Sequence, residues 1–318
     1  MRARYLVFAA ATVSLLALGA APAAAAGSAI SPGDSLYSIS CDDDYADFQL
    51  FGVESTTAFS TMIGSGTGPA TDTCAGQPAY NPATGVSYYI QWLDESEDQL
   101  ASIDVATGVS TTIAGFYWDN GEFPGYVDAQ AMAIGGDGAA YVISGDFLFS
   151  LNLATGYVEY IATMAESSIY SFAWDSVTDS FYVIGYDWDV YELDVTDGTL
   201  TVLGTLGFSG AGLYGTYSLQ FDKAGTLWIE LDVDSGVWEG GMATLWSATF
   251  ATIDAPVLSG VFTDDPYYTE ALLIVPGQPK LAATGTDSAS ALPWALAAGA
   301  LLAAAGVGLA LHARRRTA

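Results

Sequence analysis

Carboxylates stand beside aromatic rings at several places in this chain, and that pairing defines the chemistry open to it. Asp42, Asp43, Asp44 and Asp47 form one cluster, and Asp232 with Asp234 forms another. Both offer hard oxygen ligands of the kind Ca²⁺ takes, although neither follows an EF-hand loop. The competing reading of each is a solvated acidic loop. Trp92, Trp118, Trp188 and Trp238 each lie within two residues of an Asp or Glu. Aromatic faces stack on sugars or hold a cation over the ring. The expected ligand face therefore carries these four tryptophans, and the expected metal ligands are the six aspartates. No cofactor is required, and Ca²⁺ is the ion the clusters would suit.

The residues that are missing narrow the chemistry further. The chain has one histidine, His312, close to its C-terminal end. The body therefore has no Ser-His-Asp triad, no Cys-His dyad and no His-ligated zinc. Of 36 acidic residues only Asp287 follows Gly285, and of seven basic ones only Lys223 and Lys280 lie between the two ends. Residues 27–285 thus hold 35 acids against 2 bases. Such a surface repels nucleic acid and anionic lipid, and attracts divalent cations or basic partners. Solubility alone would also explain it.

Both ends read as addresses. Arg2 and Arg4 precede an apolar run from Tyr5 to Ala20, and a small-residue stretch runs to Ala26. This is the three-part pattern of a secretory signal over residues 1–26, with an uncleaved anchor as the alternative. Leu292 to Leu311 carries no charge, and as a helix at ~1.5 Å per residue it reaches ~30 Å, one bilayer core. Arg314, Arg315 and Arg316 follow within residues 312–318 and would stay cytoplasmic. Cys41 and Cys74, an even pair in an oxidising compartment, most simply form one disulfide.

Leu281-Ala282-Ala283-Thr284-Gly285 lies in the linker 277–291, ahead of that helix. Motif, spacer, apolar helix and basic tail stand in the order of a sortase sorting signal. The end of the chain resembles such signals in their actinobacterial LAxTG form. The resemblance implies a sortase and a cell-wall precursor as partners, with cleavage after Thr284 and contacts to Leu281, Ala282 and Gly285. It implies the outer side of a Gram-positive envelope, with the membrane helix serving before processing. A plain single-pass anchor is the alternative.

The elements that must position the acids and rings recur along the chain. Leu50 to Ile63 aligns with Leu100 to Ile113 at an offset of fifty residues, and the theme returns at Leu148–Gly156 and Val190–Gly198. Each copy is a strand, a turn ending in Gly and another strand. A second hairpin precedes each, as in Phe172-Ala-Trp-Asp-Ser-Val-Thr-Asp179 leading to Phe181-Tyr-Val-Ile184. Four short strands, A to D, make one unit rich in Tyr, Trp, Val and Ile.

Four-stranded units at this spacing resemble β-propeller blades. The expected fold is all-β, a five-bladed propeller over residues 27–276, followed by the C-terminal transmembrane helix. Tyr267–Val275 would close the ring by pairing with Leu36–Ile39. A six-bladed ring using residues 114–130 and an open sandwich are the alternatives. The B–C loops and D–A links then share one face, which collects the acids, the tryptophans and both cysteines. Glu270 is the only acid well inside an A strand. The expected function is a non-catalytic surface binding or adhesion module with a glycan or protein ligand. A surface glycoside hydrolase and a structural surface-layer component are the alternatives.

Overall fold

The computed structural model describes residues 29–41, 48–64, 73–93, 98–119, 124–166, 169–185, 188–208, 213–233, 242–262 and 268–277. The signal-type segment, the sorting-type motif and the apolar run 292–311 lie outside them. Five four-stranded antiparallel sheets form the body, which is a five-bladed propeller.

Blade I takes β22 (Tyr268–Val275) as its A strand, then β1 (Ser35–Cys41), β2 (Phe48–Glu54) and β3 (Phe59–Ile63). Blade II is β4 (Thr73–Asn81), β5 (Val86–Leu93), β6 (Gln99–Asp104) and β7 (Val109–Gly115). Blade III is β10 (Ala131–Ile134), β11 (Ala140–Ser144), β12 (Phe147–Leu151) and β13 (Val158–Thr163). Blade IV is β14 (Ile169–Asp175), β15 (Ser180–Gly185), β16 (Asp189–Asp194) and β17 (Thr199–Thr205). Blade V is β18 (Leu213–Phe221), β19 (Leu227–Val233), β20 (Met242–Ala248) and β21 (Val257–Val261). The segment considered for a sixth blade is instead a small hairpin, β8 (Tyr117–Asp119) and β9 (Pro124–Tyr126), between blades II and III.

Ring closure follows the expectation. β22 pairs antiparallel with β1 from Ser35↔Val275 to Cys41↔Tyr268, with one bulge between Ile39 and Ser40. The segment before β1 is pinned to the A–B turn of blade V. Ser31 N–H donates to Asp222 (3.1 Å), Lys223 N–H donates to Asp34 (2.9 Å), and the Lys223 ammonium pairs with Asp34 at 3.6 Å.

The blades pack face to face, and the buried apolar side chains fall into five clusters, one per junction. Val183 enters the cluster between blades III and IV, and its neighbour Ile184 enters the one between IV and V. Both faces of a strand are buried, which is why the inner strands read as continuous apolar runs rather than as alternating ones.

The turns have a common device. In the C–D turn of blade II, Asp104 accepts from Ala106 N–H through its side chain (2.9 Å) and from Gly108 N–H through its carbonyl (2.8 Å). Gly108 adopts φ 72°, and a Cβ there would lie 2.3 Å from the Ile63 carbonyl oxygen of blade I. Blade I itself puts Ala58 at the equivalent place with φ 56°, and its methyl is fully buried between blades V and I. Burial there offsets a strain that Gly avoids.

The hub is closed by a side chain. A β-bulge between Ala75 and Pro78 re-aims Gln77 toward the axis. Its amide donates to the carbonyls of Phe172 (2.6 Å) and Leu219 (3.2 Å), and its oxygen accepts from Phe172 N–H (2.8 Å). Blades II, IV and V are thereby joined across the centre. Gln220 donates to the Pro78 carbonyl (2.9 Å), and the Ser218 hydroxyl accepts from Leu272 N–H (2.8 Å).

Two substitutions test these contacts. Gln77→Leu leaves inward backbone groups of β14 and β18 without partners and is expected to destabilise by roughly 2–4 kcal/mol. Gly108→Ala adds left-handed strain and a collision with backbone, and is expected to cost at least about 1–2 kcal/mol. Urea unfolding of each against wild type measures both.

Candidate functional site

The B–C loops and D–A links share one face, as the strand order requires. Many of the acids expected there, Asp42, Asp43, Asp44, Asp47 and Asp234, lie outside the described residues, as do Trp238, Leu281, Ala282, Thr284 and Gly285. Asp232 sits in β19 opposite Tyr214 and Ala243, with its side chain outside the described set. Among the described residues no three His, Cys, Asp or Glu side chains come together as a metal site. Cys41 ends β1 and Cys74 is the second residue of β4, in neighbouring blades and on the same face; their side chains are likewise outside the described set.

Of the four tryptophans expected on the ligand face, Trp92, Trp118 and Trp188 are described, and their surroundings differ. Trp92 is half-buried, donates from Nε1 to the Ala129 carbonyl (3.2 Å), and presses so close to Gly76 that a Cβ there would meet its ring at 2.8 Å. Trp188 adopts φ 67° and packs edge-on against Phe208 at 5.2 Å, which in turn meets Trp246 at the same distance. Both act as wedges between blades. Trp118 lies in the β8–β9 hairpin, amid exposed rings.

That hairpin is fastened to two blades. Phe116, fully buried, donates its N–H to the Asp98 carbonyl (3.2 Å), and Tyr117 N–H donates to the Gly156 carbonyl (3.3 Å). Tyr117 also forms a parallel bridge with Tyr157 at the edge of blade III. Trp118 then meets Phe149 edge-on at 5.8 Å and Tyr160 at 6.3 Å. Phe147 stands 6.2 Å from Tyr160, and Tyr117 stands 5.3 Å from Tyr157. Tyr117, Phe147 and Tyr160 remain 40%, 43% and 42% exposed. The result is an aromatic patch on the flank of blade III.

Beside the patch is a pair of acids that sequence reasoning did not single out. Asp98 ends the acidic B–C loop of blade II and is 9% exposed, whereas Asp128 in the D–A link is exposed. Asp98 accepts from Ala129 N–H at 3.0 Å, and the two carboxyl groups share a hydrogen bond. Such a bond needs one proton between two acids. Burial first, then Asp128, pushes the Asp98 carboxyl up to about 7, against a smaller pull downward from the Ala129 N–H.

A cavity also opens at the hub mouth on the opposite, A–B face. It holds about 50 Å³ and is lined by Tyr80, Trp174, Gln220, Phe221, Lys223 and Pro276 among others. That is room for little more than water.

No protein-family profile matches the chain, and no curated protein does. Among solved structures, a chain of the nidogen/laminin complex superposes with TM-score 0.48 and 12% identity, covering 78% of this chain and all of its own length. TolB from Acinetobacter baumannii gives 0.46 and 11%, over 77% of this chain and 67% of its own. A protein of unknown function from Bacteroides thetaiotaomicron gives 0.42 and 13%, over 67% and 61%. The fold is read from the sheet order, and these likenesses add no argument about activity.

The acid pair makes a pH prediction. In the unfolded chain an Asp titrates near 3.9, so from about pH 4 to pH 7 the unfolded state gives up a proton that folded Asp98 keeps. This contribution to stability is complete below the unfolded value and is lost as pH rises through about 7. Asp98→Asn keeps a donor for Asp128 and an acceptor for Ala129 but cannot ionise. Urea midpoints of variant and wild type are expected to diverge with rising pH, the variant being the more stable above pH 7. A pH-independent difference would exclude the shared proton.

Proposed function

We propose that this chain is an exported protein, held at the outer side of a Gram-positive cell envelope by its C-terminal end, and that it works there as a non-catalytic binding or adhesion module. The observation that carries this reading is where the described chain leaves the ring. β22 ends at Val275, and Pro276 lines the hub mouth on the A–B face. Leu281 of the sorting-type motif follows five residues later. A tether there turns the A–B face toward the envelope and presents the B–C and D–A face, with its acids and rings, to the medium. In this reading a sortase cuts after Thr284 and joins that residue to a wall precursor.

Binding is favoured over hydrolysis on two grounds. Gln77 bridges the hub rather than leaving it open. The Asp98 and Asp128 carboxyls share a hydrogen bond, whereas glycosidases hold theirs roughly 5–10 Å apart around the scissile bond. A Cys41–Cys74 disulfide, also proposed, would clip the B–C connection of blade I to the entry of blade II on the presented face.

Cell fractionation tests the anchor, since Thr284→Ala is expected to shift the protein from wall to membrane fraction. Unchanged wall attachment would overturn the sortase step. An epitope tag between Ala165 and Glu166, in the exposed D–A link after β13, should label intact cells more strongly than one between Asp137 and Gly138, in an A–B turn. The reverse order would overturn the orientation.

A further inference from the structure

We infer that the aromatic patch of Phe147 and Tyr160, seated on Trp118 at the blade II–III junction, is a docking surface for a lysine- or arginine-rich polypeptide segment. The inference rests on the reading of this protein as a binding module and names the surface and the partner.

Three observations converge on it. Phe147 and Tyr160 leave 43% and 42% of their surface open although each contacts other rings. Trp118 and Phe149 lock those rings from beneath, so little side-chain freedom is lost on binding. An exposed ring held still presents its π-face, to which ammonium and guanidinium groups are drawn.

The charge around the patch has one sign. Asp119 follows Trp118 in β8, Asp146 precedes Phe147 at the head of β12, and Asp128 lies in the link from β9 to β10. Asp119 and Asp128 are exposed and Asp146 is half-buried. No Lys or Arg occurs between Tyr5 and Asp222, so blades I to IV carry no cation that could screen these acids or occupy the rings. Lys223 is held on the opposite face by Asp34. The Gly145–Asp146 turn is itself fixed, because Gly145 N–H donates to the Gln130 side chain at 3.0 Å.

A sugar fits less well. Carbohydrate sites combine a ring platform with free hydrogen-bonding groups, and the Tyr160 hydroxyl is already engaged with Thr163 at 2.9 Å. Trp118 lies edge-on to Phe149 at 5.8 Å beneath the patch, so its ring is already engaged. The patch offers ring faces and carboxylates, which is the chemistry of a basic chain.

The test uses the purified full-length protein, decalysine as the probe, and near-physiological salt so that distant charges are screened. The double variant Phe147→Ala/Tyr160→Ala is expected to weaken binding about tenfold, whereas Phe59→Ala, an equally exposed ring on blade I, is expected to leave it unchanged. Tyr160→Phe keeps the ring and is expected to bind as wild type does. Unfolding midpoints for every variant show that the propeller is retained. Equal binding by the double variant and wild type, or no binding by wild type, overturns the proposal. So does loss in the double variant of binding to a neutral oligosaccharide such as cellohexaose, which would make the patch a sugar site. Because the protein is purified, faulty wall attachment cannot affect this result, and failure here leaves the display reading to its own fractionation test.

Discussion

Everything in this molecule depends on the ladder between its last and first described strands. β22 must travel the whole circuit of the ring before it meets β1, so its hydrogen bonds close the longest loop among the described strand pairs. Until that ladder forms, blade I has no inner strand and blades V and I have no common face. Leu272 and Ile274 of β22 pack with Leu36, Trp228 and Leu245 only in the closed ring. The pins from Ser31, Asp34 and Lys223 to the turn of blade V hold the same seam from the N-terminal side. Closure joins two segments remote in sequence, and the cluster between blades V and I gives that joining an apolar core of its own.

Closing the ring creates a second problem at its centre. The inner edge of each A strand points at the axis, where backbone N–H and C=O groups have no neighbouring strand. Buried backbone groups need partners. Gln77 supplies them for Phe172 and Leu219, acting as a peptide-like bridge across the hub. Gln220 and Ser218 do the same for Pro78 and Leu272. The bridged backbone groups at Phe172, Leu219, Pro78 and Leu272 make the hub a structural joint, and the faces of the ring are left to carry function.

The sequence made the repeating parts legible and hid the singular ones. The hairpin turns, such as Asp104–Gly108 and Asn152–Gly156, announced themselves because each depends on four or five consecutive residues, and their spacing gave five units and the closing strand. Gln77 was hidden because its partners stand ninety-five and more residues away, and because a bulge changes which way it points. The β8–β9 hairpin was hidden because three-residue strands fall below any periodic signal. Trp92 and Trp188 were read from their acidic neighbours, whereas the ring wedges at 92 and 188 follow from Gly76 and Phe208, which only folding brings near. Asp98 and Asp128 are thirty residues apart and look like ordinary loop acids until the link 127–130 lies beside blade II.

The large negative charge needs two explanations that act at different ranges. Outer strands such as β17 leave Val202 and Leu203 59% and 40% exposed and contain no charge, which is the composition that invites edge-to-edge pairing. An envelope of like charge keeps such edges apart, and for that purpose the acids can stand anywhere on the body. Salt screens that effect within about 10 Å, so it cannot select a partner by itself. Selection requires carboxylates fixed beside rings. Among the described residues the blade II–III junction supplies both, held by the hairpin that bridges the two blades. The one acid pair there that shares a proton also limits how much charge the junction carries near neutral pH.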